Sequence, residues 1–267
     1  MASNCRHSTH CWAKPTETEI NQPRKVALVT GASSGIGAAA VKSLLLDGYA
    51  VMAAGRDKAR TQALQQHGDA VQTWLGDLST AEACDDLVTA CISEFSRLDV
   101  LVNNAGIYEA AIAEDTTDEN WLRTITTNLS APFYLSRAAV PHLRTSRGVI
   151  LNIASDWGLV GGKRAVAYCA SKGGMVLMTR AMAMDHAHEG IRVNAICPGD
   201  VETPMLYAEG DARGLTPAQA LDEANHGSLT GRVTTADEVA ALIVYLASDA
   251  ARQITGAAIP IDGGNSA

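Results

Sequence analysis

The sequence predicts a doubly wound α/β fold: one domain with a mainly parallel seven-stranded sheet and helices on both faces. Three observations carry that prediction. Seven short aliphatic or β-branched runs recur along the chain, with helix-like stretches between them. Most of these runs are continuously apolar, the pattern of strands buried on both faces. Strand and helix in alternation require crossover connections, hence a mainly parallel sheet. The length of 267 residues suits one large α/β domain better than two small ones. With 47% hydrophobic residues and 4% aromatics, the core is expected to be large and mostly aliphatic.

The strand-like runs are KVALVT (25–30), YAVMAA (49–54), AVQTWL (70–75), LDVLVN (98–103), GVILNI (148–153), GIRVNAI (190–196) and AAIPI (257–261). Helix openings stand between them. Thr117-Asp118-Glu119-Asn120 is one, and Thr235-Ala236-Asp237-Glu238 has the pattern of a Thr-x-x-Glu capping box. The stretch Gly199 to Arg232 departs from this alternation. It is polar, with no strand-like run, and reads as a substrate lid over about 200–230 or as a pair of short surface helices. Residues 1–24 are polar and read as a flexible extension of a domain spanning 25–267. Their Cys5, His7, His10 and Cys11 lie close together, but the spacing fits no standard zinc pattern, so no metal site is expected.

The formal charge of −8 argues against a general nucleic-acid binder and against a polybasic membrane anchor. No apolar run reaches the length of a membrane span. The leader lacks the apolar core of a secretory signal, and Glu17 and Glu19 weaken a transit-peptide reading, so a cytoplasmic protein is expected. The six Cys show no dense disulfide framework.

In a doubly wound sheet, ligands bind beyond the C-terminal ends of the strands. The first strand runs into TGASSGIG (Thr30 to Gly37), which opens a helix. Such a turn lets backbone N–H groups approach a pyrophosphate, with the helix N-terminus favouring its charge. Gly31 would permit the tight turn, and Gly35 and Gly37 would remove side chains where a cofactor or a strand comes close. No Lys follows the last glycine, so this is not a Walker motif. The second strand ends in Gly55-Arg56-Asp57, where dinucleotide sites distinguish their cofactors. Arg56 suits a 2′-phosphate. Asp57 reads either as a ribose-binding acid or as the N-cap of the next helix.

Past the fifth strand, Ser155 stands at the strand end, and Tyr168 and Lys172 follow on one face of a helix. A free phenol has a pKa of about 10, too high for an efficient base near neutrality. A neighbouring ammonium would stabilise the phenolate. Asn128 precedes Pro132 by four residues, and Pro cannot donate to its carbonyl. That suits a water relay or an ordinary helix kink.

Ser155, YCASK (168–172), TGASSGIG (30–37), NNAG (103–106), Asn128 in TTNLS and PG (198–199) together resemble the short-chain dehydrogenase/reductase family over about residues 25–264. The resemblance implies a Rossmann-type sheet and a catalytic set of Asn128, Ser155, Tyr168 and Lys172. Tyr168 would be the general acid/base. Lys172 would lower the Tyr168 pKa and bond the nicotinamide ribose. Ser155 would hold and polarise the carbonyl, and Asn128 would complete a proton relay. Cofactor contacts would come from Gly31, Ser33, Ser34, Gly35, Ile36, Gly37, Arg56, Asp77, Leu78, Asn104, Ala105, Gly106, Tyr168, Lys172, Pro198, Gly199, Val201 and Thr203. Ser155, Trp157 and Tyr168 would meet the substrate.

The expected activity is NADP(H)-dependent hydride transfer between nicotinamide and a ketone or secondary alcohol. NAD(H) use in the catabolic direction is one alternative, and a non-catalytic dinucleotide-binding sensor is another. Ser34 departs from a common NADP pattern, leaving Arg56 without a cationic partner. A homo-oligomer, tetramer or dimer, is implied. Lys163 and Arg164 would attract an anionic substrate or meet a neighbouring subunit. His186 and His188 are expected to be solvated, and Cys169 to be a small buried side chain.

Overall fold

All seven predicted runs form strands, and the central ones have enough consecutive apolar residues to be covered on both sides. The computed structural model describes residues 24–267, and the Cys5, His7, His10 and Cys11 cluster lies outside the described residues. The strands are β1 (Val26–Thr30), β2 (Ala50–Gly55), β3 (Val71–Leu75), β4 (Val100–Asn103), β5 (Val149–Ile153), β6 (Arg192–Pro198) and β9 (Ala258–Ile261). They pair in parallel in the order β3-β2-β1-β4-β5-β6-β9. The central strands β1 and β5 are buried at every residue, whereas the edge strands β3 and β9 are only partly covered.

Alternate side chains of β1 build two cores. Ala27 and Val29 face Val41 and Leu44 of α1 (Gly35–Leu46) and Ile243 and Leu246 of α9 (Ala236–Ala247). Val26 and Leu28 face Leu87 and Cys91 of α3 (Ala81–Phe95) and Leu135 and Leu143 of α5 (Ala131–Ser146). α9 opens with the predicted capping box between Thr235 and Glu238. Thr117 caps α4 (Asp118–Ile125) by accepting from the Asn120 amide. Asp57 caps α2 (Lys58–Ala63). Among the described residues no helix is long and apolar enough to cross a membrane.

Three sequence expectations need correction. First, the stretch from Gly199 to Arg232 does contain a strand: β7 (Val201–Glu202), which pairs in parallel with β8 (Thr234–Thr235) just beyond the stretch. Two residues are too few to give an apolar run. Between the pair lie α7 (Pro204–Ala212) and α8 (Pro217–Gly227), the pair of short helices that the sequence offered as one reading of this stretch. Second, the break at Asn128 is a π turn over Thr126–Ser130 rather than a simple kink. The Ala131 amide bonds back five residues to Thr126, and Pro132 has no amide to restore the ordinary register. Third, β5 stops at Ile153, and Ser155 instead opens a short 3-10 turn over Asp156–Gly158.

Candidate active site

A cleft of about 930 Å³ runs across the C-terminal ends of β1, β2, β4, β5 and β6. One end is built on the glycine-rich turn. Gly31 sits at φ +62°, in the left-handed region that glycine tolerates. A Cβ on Gly37 would lie 2.2 Å from the Gly31 carbonyl oxygen and 2.6 Å from Nδ2 of Asn104. Gly37 is therefore a packing glycine. It does not line the cleft, unlike Gly31, Ser33, Ser34, Gly35 and Ile36. The Asn104 side chain donates to the carbonyls of Thr30 (2.8 Å) and Gly31 (3.2 Å). Thr30 Oγ1 accepts the amides of Asn104 and Ala105. These bonds tie the NNAG segment to the turn. Ser34, the N-cap of α1, makes no side-chain capping bond, and the first turn holds no acid. The helix N-terminus is thus left open to an anion.

The β2 end carries Arg56, Asp57 and Arg60, with Asp77 and Leu78 beyond β3. Both oxygens of Asp57 are taken by its own helix. Oδ1 accepts the Arg60 amide at 2.9 Å, and Oδ2 accepts Arg60 Nε at 2.7 Å. These bonds hold the carboxyl below its ordinary pKa. Arg56 is mostly exposed and 3.9 Å from Asp77. Arg60 also lines this end, with its Nε bonded to Asp57.

At the other end are Ser155, Asp156, Trp157, Tyr168 and Lys172. Tyr168 and Lys172 lie one turn apart on α6 (Val166–His186). Lys172 Nζ donates to the Ile153 carbonyl at 2.7 Å and lies 5.6 Å from the centre of the Tyr168 ring. Burial brings the Lys172 ammonium down to about 8. Burial also raises the Tyr168 phenol. Ser155 opposes this, while Asp156, Cys169 and Tyr108 add to it. In the protein alone, burial is the largest influence on the Tyr168 phenol.

Asn128 is fully buried but does not line the cleft. Its Oδ1 accepts the Ile107 amide, and its Nδ2 donates to the Ile107 carbonyl and to Ser171 Oγ. It sits behind Gly106, where an added Cβ would be 3.4 Å from Asn128 Oδ1 and 3.5 Å from Lys172 Nζ. Pro198, Gly199, Val201 and Thr203 line the cleft from β6 and β7, and Asn104, Ala105 and Gly106 line it from β4.

Several lining residues were not singled out as site residues from the sequence. Tyr108 stands edge-on to Tyr168 (ring centres 5.2 Å apart) and to Trp157 (5.7 Å). Asp200, Glu209, Asp262 and Asn265 also line the cleft. Burial, then the charges of Asp156 and Glu209, raises the Asp200 carboxyl. Lys163 and Arg164, expected near an anionic substrate, do not line the cleft. His188 is exposed, but His186 is only part-exposed and pairs with Glu189 at 3.0 Å. Cys169 is half-buried and accepts the Gly162 amide at 3.2 Å.

A family model described as short chain dehydrogenase matches residues 25–214. Over 246 residues the chain is 36% identical to a meso-2,3-butanediol dehydrogenase of Serratia marcescens, covering 91% of this chain and 95% of that one. The crystal structure of a single-substitution variant of actinorhodin polyketide ketoreductase with NADPH superposes with a TM-score of 0.86 at 33% identity, covering 91% of this chain and 97% of that one. The 3-ketoacyl-(acyl-carrier-protein) reductase from Brucella melitensis complexed with NADH gives 0.83 at 32% identity, covering 91% and 98%.

Proposed function

Because the chain belongs to the short-chain dehydrogenase/reductase family, we propose that it moves a hydride between NADP(H) and a ketone or secondary alcohol. One observation carries this reading: Tyr168, Ser155 and Lys172 share a single cleft with the glycine-rich turn and Arg56. The residues fit a nicotinamide dinucleotide. Gly31 and Gly35 at positive φ hold the turn, and the uncapped N-terminus of α1 suits a diphosphate. Similarity to one solved structure with NADPH and to another with NADH supports the same cofactor class. NADP is favoured because Asp57 serves as the helix cap and partner of Arg60, while the mostly exposed Arg56 suits a phosphate.

When bound, the nicotinamide supplies or accepts the hydride. The chain's own part is to manage the proton. Tyr168 Oη gives the proton to the substrate oxygen in reduction and takes it in oxidation. Its raised pKa suits the donating form, and Lys172 with a bound cofactor would have to assist the reverse transfer. Ser155 Oγ is the second contact for the reacting oxygen. The Asn128 backbone carbonyl at the π turn is the group available for a relay, since its side chain is engaged elsewhere. Exposed Phe133, Leu177 and Met184 support the further reading of a homo-oligomer, dimer or tetramer.

The test is a carbonyl and alcohol panel with NADPH and NADH, run on the native chain and on Tyr168→Phe. Turnover with NADPH that is lost in Tyr168→Phe while nucleotide binding persists supports the reading. Near-native kcat in Tyr168→Phe refutes the proton role. Better turnover with NADH favours the NAD alternative. Tight binding with no turnover on any substrate makes the protein a sensor.

A further inference from the structure

The loop that leads from Gly158 into α6 carries two adjacent glycines, Gly161 and Gly162, in unlike surroundings. Neither has a positive φ, so the backbone itself demands glycine at neither position. A Cβ on Gly161 would meet nothing within 4 Å. A Cβ on Gly162 would strike Cδ2 of the Trp157 indole and lie 2.7 Å from its Cε2 and Cε3. Carbon atoms in contact stand about 3.5–4.0 Å apart, so a methyl there would force the ring away by roughly 1 Å. The loop has little room to yield instead. Gly158 abuts the backbone of Lys172, where an added Cβ would be 2.8 Å from the carbonyl oxygen. The Gly162 amide donates to Cys169 Sγ at 3.2 Å, one residue past Tyr168. The Arg164 carbonyl accepts the Ala111 amide at 2.8 Å, from the segment that carries Tyr108. The indole also stands edge-on to Tyr168, with ring centres 6.2 Å apart. It is part-exposed and lines the cleft, so its open side is the substrate half.

We propose that Gly162 is a positioning residue that acts through Trp157: having no side chain, it lets the indole sit back from the cleft and so sets how large a group fits beside the oxygen that Tyr168 serves. The inference rests on the oxidoreductase reading above. The loop is pinned at Gly158, Gly162 and Arg164, and the rings of Tyr108 and Tyr168 flank the indole. A side chain at position 162 therefore drives the ring into the cleft rather than the loop away from it. Substrates lose room in proportion to their bulk on the Trp157 side. The nucleotide half, built on the glycine-rich turn, is untouched. A glycine needed only for folding would instead cost every substrate alike.

The experiment takes the ketone that the native chain turns over best, with analogues in which one flank is trimmed or enlarged. kcat/KM is measured for the native chain, Gly162→Ala, Gly161→Ala, Trp157→Ala and the Gly162→Ala/Trp157→Ala double variant, with NADPH affinity followed by fluorescence. Gly162→Ala should lower kcat/KM about tenfold for the enlarged analogue and less than about twofold for the trimmed one, in the range that an overpacked contact costs. NADPH affinity should stay at its native value, and Gly161→Ala should match the native chain throughout. In the Trp157→Ala background, Gly162→Ala should have no further effect. A loss independent of ketone size, a loss that persists without the indole, or an equal loss in Gly161→Ala overturns the inference. If Gly162→Ala does not fold by circular dichroism, the two proteins carrying Trp157→Ala decide. Both folded, and both favouring the enlarged analogue relative to the native chain, supports the proposal; a double variant that is unfolded or lacks that preference overturns it. A native chain inactive on every alcohol and ketone with both nucleotides overturns the oxidoreductase reading, and this inference with it. An active native chain whose size preference ignores position 162 overturns the inference alone.

Discussion

Substituting Lys172 with Met should change how stability depends on pH, and the size of the change follows from the burial of one ammonium. Lys172 is 4% exposed, and its pKa falls from 10.5 to about 8. At about 1.4 kcal/mol per pH unit, keeping this group charged in the folded protein costs about 3 kcal/mol at pH 7. The sign is fixed by proton binding. Between pH 8 and 10.5 the unfolded chain binds more protons at this residue than the folded one, so native stability rises with pH through that window. The contribution is fully present above 10.5 and is lost as pH falls through about 8. Met removes the charge and the pH dependence, and it also removes the bond from Nζ to the Ile153 carbonyl, worth about 1.5 kcal/mol. The net gain at pH 7 is then on the order of 1 kcal/mol, and it should reverse by about pH 10. Urea unfolding of both proteins without nucleotide, at four pH values from about 7 to about 10, reads the difference directly. A stability difference that stays constant across that range refutes the argument.

Three other outcomes are expected. Arg56→Ala should weaken NADPH binding roughly tenfold while changing NADH little; equal losses in fluorescence titrations would mean that Arg56 does not meet a 2′-phosphate. Gly37→Ala should cost roughly 2 kcal/mol or more, because the new methyl has only the Gly31 carbonyl and Asn104 to meet. A thermal midpoint within a degree of the native value would contradict that. Carboxylate-bearing ketones should show lower kcat/KM than their neutral esters, since Asp156, Asp200, Glu209 and Asp262 line the substrate half and Lys172 is its one lining cation among the described residues. The gap should narrow with added salt, and a preference for the carboxylate would count against the charge argument.

The strands were legible because a strand covered on both faces needs an unbroken apolar run, and such runs stand out against polar helices. The turn around Gly31, the cap at Thr235 and the Ser155–Tyr168–Lys172 grouping are local patterns and could be read for the same reason. What stayed hidden depends on distance in sequence. Asn265 reaches Asp156 across 109 residues, and no spacing rule connects them. Tyr108 joins Tyr168 and Trp157 only because the segment after Gly106 folds back, tied to Asn128. The π turn at Asn128 shows in sequence only as a proline, which cannot say which register the helix adopts. The direction of the Tyr168 pKa escaped because the sequence shows the neighbouring lysine but not the burial that raises the phenol.

The pairing of β7 with β8 has an implication for how such a protein can change. Val201 lies beside Thr234 and Glu202 beside Thr235, so the chain leaves and rejoins the main body at one anchored place. Everything between them, α7 and α8 included, is a miniature crossover whose closure does not depend on its length. Insertions, deletions or wholesale replacement there would leave the seven-stranded sheet and the proton-handling residues untouched. On the proposed reading, substrate choice would then be housed in a segment that natural variation or an engineer can exchange as a unit, while the chemistry beneath it stays the same.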